Sequence, residues 1–112
     1  MKSYNIKGTF HIKADMSLEE TVKTINKVTN LNLIKDDSGY YEEFPAYSNH
    51  TLGIQFAVLG PPKLKYRVEN VDYNKYDFMI SDYFKFKNDE FIDLSPTIMK
   101  LLNTESELEC YK

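Results

Sequence analysis

Polar and apolar residues alternate along 3–13. Tyr4, Ile6, Gly8, Phe10 and Ile12 fall on one face, and Asn5, Lys7, Thr9, His11 and Lys13 on the other. A period of two marks a half-buried strand, and Gly8 within it predicts a bulge. The period then changes. Ser17-Leu18-Glu19-Glu20 is a capping box, in which the Ser17 hydroxyl accepts from the Glu20 amide while the Glu20 side chain reaches back. Leu18, Val22, Ile25 and Val28 follow at helical spacing, and the stripe is expected to end near Asn30.

Leu31 to Lys35 reads as a short strand, stopped by the turn signal Asp36-Asp37-Ser38-Gly39. Tyr40 to Tyr47 is expected to be extended, because Pro45 biases Phe44 away from helix. Residues 51–59 alternate again, with Leu52, Ile54, Phe56 and Val58 inward, and Gly60-Pro61-Pro62 ends that strand. Leu64, Tyr66 and Val68 predict another strand. Tyr76, Phe78 and Ile80, then Phe84 and Phe86, predict one or two more. Ser95 is the predicted N-cap of a second helix with Pro96 at its first position and Ile98, Leu101 and Leu102 as its apolar face. From Thr104 the acidic end reads as either a strand or a frayed tail. The pattern gives one α+β domain over 1–112: a mainly antiparallel sheet of five or six strands, with an N-terminal-half helix and a short C-terminal helix packed on it. The first strand and the 51–59 strand are expected to share that sheet beneath the helix beginning at Ser17.

Composition narrows the function classes. The 112 residues carry 14 basic and 17 acidic side chains, a net charge of −3. That balance weighs against nucleic acid or an anionic membrane as partner, since phosphate binding is led by clustered bases. Arg67 is the only arginine, so a bidentate phosphate clamp is poorly supplied. Cys110 is the only cysteine, which rules out an intramolecular disulfide. The apolar run at Ala57-Val58-Leu59 is far too short for a signal segment or a membrane span. The expectation is a cytoplasmic protein.

Nothing in the pattern assembles a catalytic or metal site. His11 lies on the polar face of the first strand and His50 in a predicted loop, neither with a nucleophile at hand. Two isolated histidines and Cys110 give no metal-ligand spacing, and Asp36-Asp37 lacks the alternating ligands of a calcium loop. No glycine string cradles a phosphate, and no cofactor is expected. Glu42 and Glu43 are adjacent, so on a strand they would point to opposite faces rather than converge. The most informative segment is 72–93, where Tyr73, Tyr76, Phe78, Tyr83, Phe84, Phe86 and Phe91 are interleaved with Asp72, Asp77, Asp82, Asp89, Glu90 and Asp93. Aromatic anchors beside steering acids suit a binding face for a basic protein. Acids keeping an edge strand soluble would leave the same trace.

Tyr41-Glu42-Glu43-Phe44-Pro45-Ala46-Tyr47, followed by Leu52-Gly53-Ile54-Gln55-Phe56-Ala57-Val58-Leu59-Gly60-Pro61-Pro62, resembles small immunity proteins of bacterial contact-dependent growth inhibition and related polymorphic toxin systems. The resemblance implies a non-enzymatic protein that binds and neutralises one cognate toxin domain, frequently a basic nuclease. Partner contacts differ between such pairs, so the resemblance carries over no residue set. The candidate contacts come from the acidic and tyrosine-rich segments of this chain: Glu42, Glu43, Tyr47, Tyr73, Tyr76, Asp77, Asp82 and Tyr83. A small-ligand or enzymatic domain with a Tyr/Phe-lined pocket is the alternative, and a subunit dimerising by sheet edges a third reading.

Overall fold

The computed structural model describes residues 4–82 and 90–112. Its elements run β1 (Asn5–Lys13), α1 (Leu18–Thr29), β2 (Ile34–Lys35), β3 (Ala46–Thr51), β4 (Ile54–Leu59), β5 (Lys75–Asp82), β6 (Phe91–Asp93), α2 (Ser95–Glu105) and β7 (Cys110–Tyr111). A 310 turn, Leu64–Tyr66, interrupts the connection between β4 and β5. The strands form one sheet in the order β2-β3-β4-β5-β1-β6, with β7 also on β1. Every pairing is antiparallel except β1 with β6. The α+β class therefore holds. The sheet has seven strands where five or six were expected, because the short strands β6 and β7 join it beside β1.

The opening strand and helix form as their patterns dictate. Phe10 and Ile12 of β1 are buried, and Ser17 Oγ accepts the Glu20 N–H at 3.1 Å to cap α1. Asn30 ends the helix in the left-handed conformation, donating its N–H to Asn26 O at 2.8 Å. Val22 and Ile25 from α1 and Leu102 from α2 share one core with Phe10, Ile12, Phe56, Val58, Phe78 and Ile80. The rings of Phe10 and Phe78 stack across the β1–β5 pair, centroids 4.7 Å apart, and Phe56 meets Phe78 edge-on. Thus β1 and β4 share the sheet under α1, with β5 between them.

Each helix fastens the chain that follows it with an asparagine amide. Asn26 donates to Leu33 O and accepts from Leu33 N, and Asn103 does the same for Cys110 O and N. The second clamp helps to hold the C-terminal residues as β7 rather than as a frayed tail.

Several expectations are corrected. Residues 64–68 form no strand, because β4 pairs directly with β5 and leaves no ladder for them to join. Leu52 is not inward: it and Gly53 make the two-residue turn between β3 and β4 at positive φ, with Leu52 95% exposed. Residues 40–43 are a turn, so extended structure begins at Ala46 and takes His50 into a strand. Only Ile34–Lys35 of the 31–35 stretch is strand. Gly8 makes no bulge and pairs in register with Ile80; what it provides is space, since a Cβ there would lie 3.0 Å from Ser95 N and 3.1 Å from Asp93 Oδ1. Ser95 is the first helical residue of α2, and Asp93 accepts from its N–H and its hydroxyl. Leu101 is exposed, leaving Ile98, Met99 and Leu102 as the packed face. The expected strand around Phe84 and Phe86 falls outside the described residues.

Two substitutions should move stability in opposite directions. Ile25→Ala empties a fully buried site and is expected to cost about 2–5 kcal/mol. Leu52→Asn relieves a side chain held in the left-handed region and is expected to gain about 1 kcal/mol. Urea denaturation of both variants checks the pair; a neutral Ile25→Ala or a destabilised Leu52→Asn would contradict this packing and turn geometry.

Candidate functional site

Both helices pack on one side of the sheet. The other side carries Lys7, Thr9 and His11 of β1, Asp77, Met79 and Ser81 of β5, and Gln55 and Ala57 of β4 in register. Its only apolar cluster among the described residues is small: Ala46, Ala57 and Leu59, covered by Tyr41. Two long connections meet this sheet, 36–45 and 60–74. A connection of fifteen residues without strand structure is long for so small a domain, and such loops are usually functional.

The 60–74 connection bonds to itself and leaves several of its apolar side chains exposed. The Val68 N–H donates to Tyr73 Oη at 2.9 Å, Arg67 Nε donates to Pro62 O at 2.8 Å, and the Arg67 guanidinium lies over the Tyr73 ring. Asp72 accepts the Asn74 N–H, and Asn70 bends the chain at positive φ. The single arginine is thus spent within the loop. Leu64 is 80% exposed, and Tyr66, Val68 and Val71 are exposed beside it in sequence. With Phe44 from the other connection, Tyr66 and Val71 line a groove of about 290 Å3 floored by Pro61 and Pro62. A second groove of about 390 Å3 continues over the same Phe44, Pro61 and Tyr66 towards Glu42 and Arg67. The rim is mixed in charge, with Glu42, Glu43, Asp72 and Asp77 against Lys63, Arg67 and Lys75.

The structure brings together four of the eight residues read from the sequence: Glu42 and Glu43 at the 42–44 side of these grooves, Tyr73 and Asp77 at the other. Asp77 also bonds His11 Nδ1 at 2.6 Å, so both belong to the helix-free face. The remaining residues lie elsewhere. Tyr76 is a core residue, 8% exposed, whose phenol donates to Met16 O and is pushed above its ordinary pKa by burial. Tyr47 sits opposite Val58 and packs against the main core. Asp82 accepts the Ile6 N–H with both carboxylate oxygens at 2.9 Å, extending the β1–β5 pairing by one side chain. Tyr83 lies outside the described residues. The sequence reading passed over Phe44, Leu64, Tyr66, Val68 and Val71 as a surface, although the signal was there: apolar alternation between a Pro-Pro pair and three intervening bases.

On its other flank the 36–45 connection bounds a further groove of about 430 Å3 against β4 and β5, lined by Asp36, Tyr40, Tyr41, Gln55, Met79 and Asp82 among others. Burial pushes the Tyr41 phenol above its ordinary value, against a hydrogen bond with Gln55. The Ser38 hydroxyl and N–H hold the Asp36 carboxyl below 3.8, helped by the Ser48 hydroxyl and opposed by desolvation. Cys110 is buried, and its thiol is pushed up to about 11, which makes it a poor nucleophile. Among the described residues no group of three His, Cys, Asp or Glu side chains could hold a metal ion, and no helix is long and apolar enough to cross a membrane.

No family model, no curated protein and no solved structure matches this chain.

The depressed Asp36 carboxyl gives a signed expectation. A carboxyl lowered in the folded state stabilises fully above its unfolded pKa and loses that contribution as pH falls through the folded value. The stability advantage of wild type over Asp36→Asn should therefore be present near neutral pH and shrink below about pH 4. Denaturant midpoints across that range test it, and a pH-independent difference would show that the Ser38 bonds do not favour the ionised form.

Proposed function

We propose that this chain is an immunity protein that binds and neutralises a cognate bacterial toxin domain, with the 42–44 and 61–73 segments as its contact surface. The observation that carries the reading is the row of exposed apolar side chains on the 60–74 connection. Its hydrogen bonds close on themselves while Leu64, Tyr66, Val68 and Val71 face solvent. Burying those side chains against a partner would return the hydrophobic free energy that folding leaves unused, at roughly 25 cal/mol per Å2 of apolar area removed from water. Tyr66 and Phe44 are the expected anchors, because exposed aromatics over a preformed groove make most of the energy in such interfaces. The acids Glu42, Glu43, Asp72 and Asp77 slightly outnumber Lys63, Arg67 and Lys75 around these grooves, which with the net charge of −3 favours a basic partner. The resemblance of 41–62 to immunity proteins supplies the biological setting, and the same stretch contributes Glu42, Glu43, Phe44, Pro61 and Pro62 to the grooves.

The test is to seek a toxin-bearing open reading frame immediately upstream of this gene and to co-express its toxin domain with this chain; absence of such a frame would count against the reading. The wild-type chain should restore growth. Tyr66→Ala should weaken the complex by about 2 kcal/mol, roughly thirtyfold, while leaving folding stability within about 0.5 kcal/mol, as an exposed side chain should. Failure to protect, or full affinity in the Tyr66→Ala variant, would overturn the reading.

A further inference from the structure

The 430 Å3 groove between the 36–41 segment and the helix-free face of the sheet has the chemistry of a site for an organic cation. Two tyrosines stand at its mouth, the Tyr40 and Tyr41 rings 4.9 Å apart and inclined at 80°, with Tyr40 78% exposed. Met79, also exposed, contributes a polarizable thioether to the wall. Asp36 and Asp82 line the groove, and among the described residues no lysine or arginine does. Both carboxylates are fixed by neutral donors: Asp36 by the Ser38 N–H and the Ser38 and Ser48 hydroxyls, Asp82 by the Ile6 N–H. Neutral donors orient a carboxylate and leave its charge uncompensated, and among the described residues neither acid forms an ion pair. Lys35, adjacent in sequence, is engaged by Asp37 at 3.9 Å. Aromatic faces beside oriented carboxylates favour a flat, weakly hydrated cation, which stacks on the ring and presents paired N–H donors to the acid.

We propose that this groove receives the guanidinium of an arginine side chain presented by a bound protein. The inference rests on the reading of the chain as a binder of a basic protein, and its test uses no toxin, so the two fail separately.

The full chain is titrated by NMR with the peptide acetyl-Gly-Arg-Gly-amide and with the same peptide carrying citrulline, which keeps the shape and removes the charge. Shift changes at Tyr40, Tyr41 and the Met79 methyl are expected with the arginine peptide, and at least tenfold weaker binding with citrulline. Tyr40→Ala should lower affinity about fivefold, the scale of one exposed cation–π contact, without altering the fold. Added salt should weaken the arginine complex only. Equal binding of the two peptides would overturn the assignment. So would shifts confined to other surfaces, unchanged affinity in Tyr40→Ala, or no shift up to the solubility limit of the peptide.

Discussion

Strand β1 has two edges, and everything else in the molecule depends on how both are used. One edge pairs with β5 from Lys7 to Lys13. The other is divided: β6 runs parallel along Asn5–Lys7, and β7 runs antiparallel along His11 and Ile12. Helix α2 spans the interval between them, and its start lies against Gly8, where any side chain would meet Ser95 N and Asp93 Oδ1. The Lys7 carbonyl accepts the Leu94 N–H and the Lys13 N–H donates to Glu109 O, so the backbone of β1 anchors both ends of the α2 unit. Asp82 carries the opposite edge one residue further by capturing the Ile6 N–H. With β1 held along both edges in this way, Phe10 and Ile12 are fixed beneath both helices and the core is centred on the Phe10–Phe78 stack.

That arrangement places both helices on one side and leaves the other to the connections. Segment 36–45 folds Tyr41 over the small Ala46–Ala57–Leu59 cluster and so separates the acidic groove at Tyr40 from the apolar grooves at Phe44. The 60–74 connection then closes the apolar side with a framework of its own hydrogen bonds. A packed sheet holding preformed loops keeps the ordering cost of association low, as the proposed binding role requires.

The parts legible in the sequence were those where a local pattern and its tertiary use agree. The capping box at Ser17, the Leu18–Val28 stripe and the left-handed Asn30 specify α1 without reference to anything distant. The alternation of 5–13 specified β1 and its buried face. Alternation alone misled at Leu64, Tyr66 and Val68, because a strand also needs an unoccupied neighbour, and β4 and β5 had already paired. It misled at Leu52 because a tight hairpin turn can hold a leucine at positive φ when Gly53 follows. Tyr76 and Asp82 were drawn to the surface by their composition as a Tyr/Asp segment. Their destinations, the Met16 carbonyl and the Ile6 amide, are long-range partners that no local pattern encodes. Of the candidate site, Glu42, Glu43, Tyr73 and Asp77 were legible as charge and rings; the apolar surface between them was not, because the alternation at 64–68 reads as a strand.

The central claim is that the 42–44 and 61–73 segments form the contact surface while the β1–β5 core is scaffold. Amide hydrogen exchange of the protein, free and bound to a basic toxin domain that it protects against on co-expression, tests that claim most directly. The account predicts new protection at 42–44 and at 61–73, with the already protected β1 and β5 amides unchanged. Protection confined to the outer faces of α1 and α2, with the 61–73 amides exchanging as in the free protein, would contradict it.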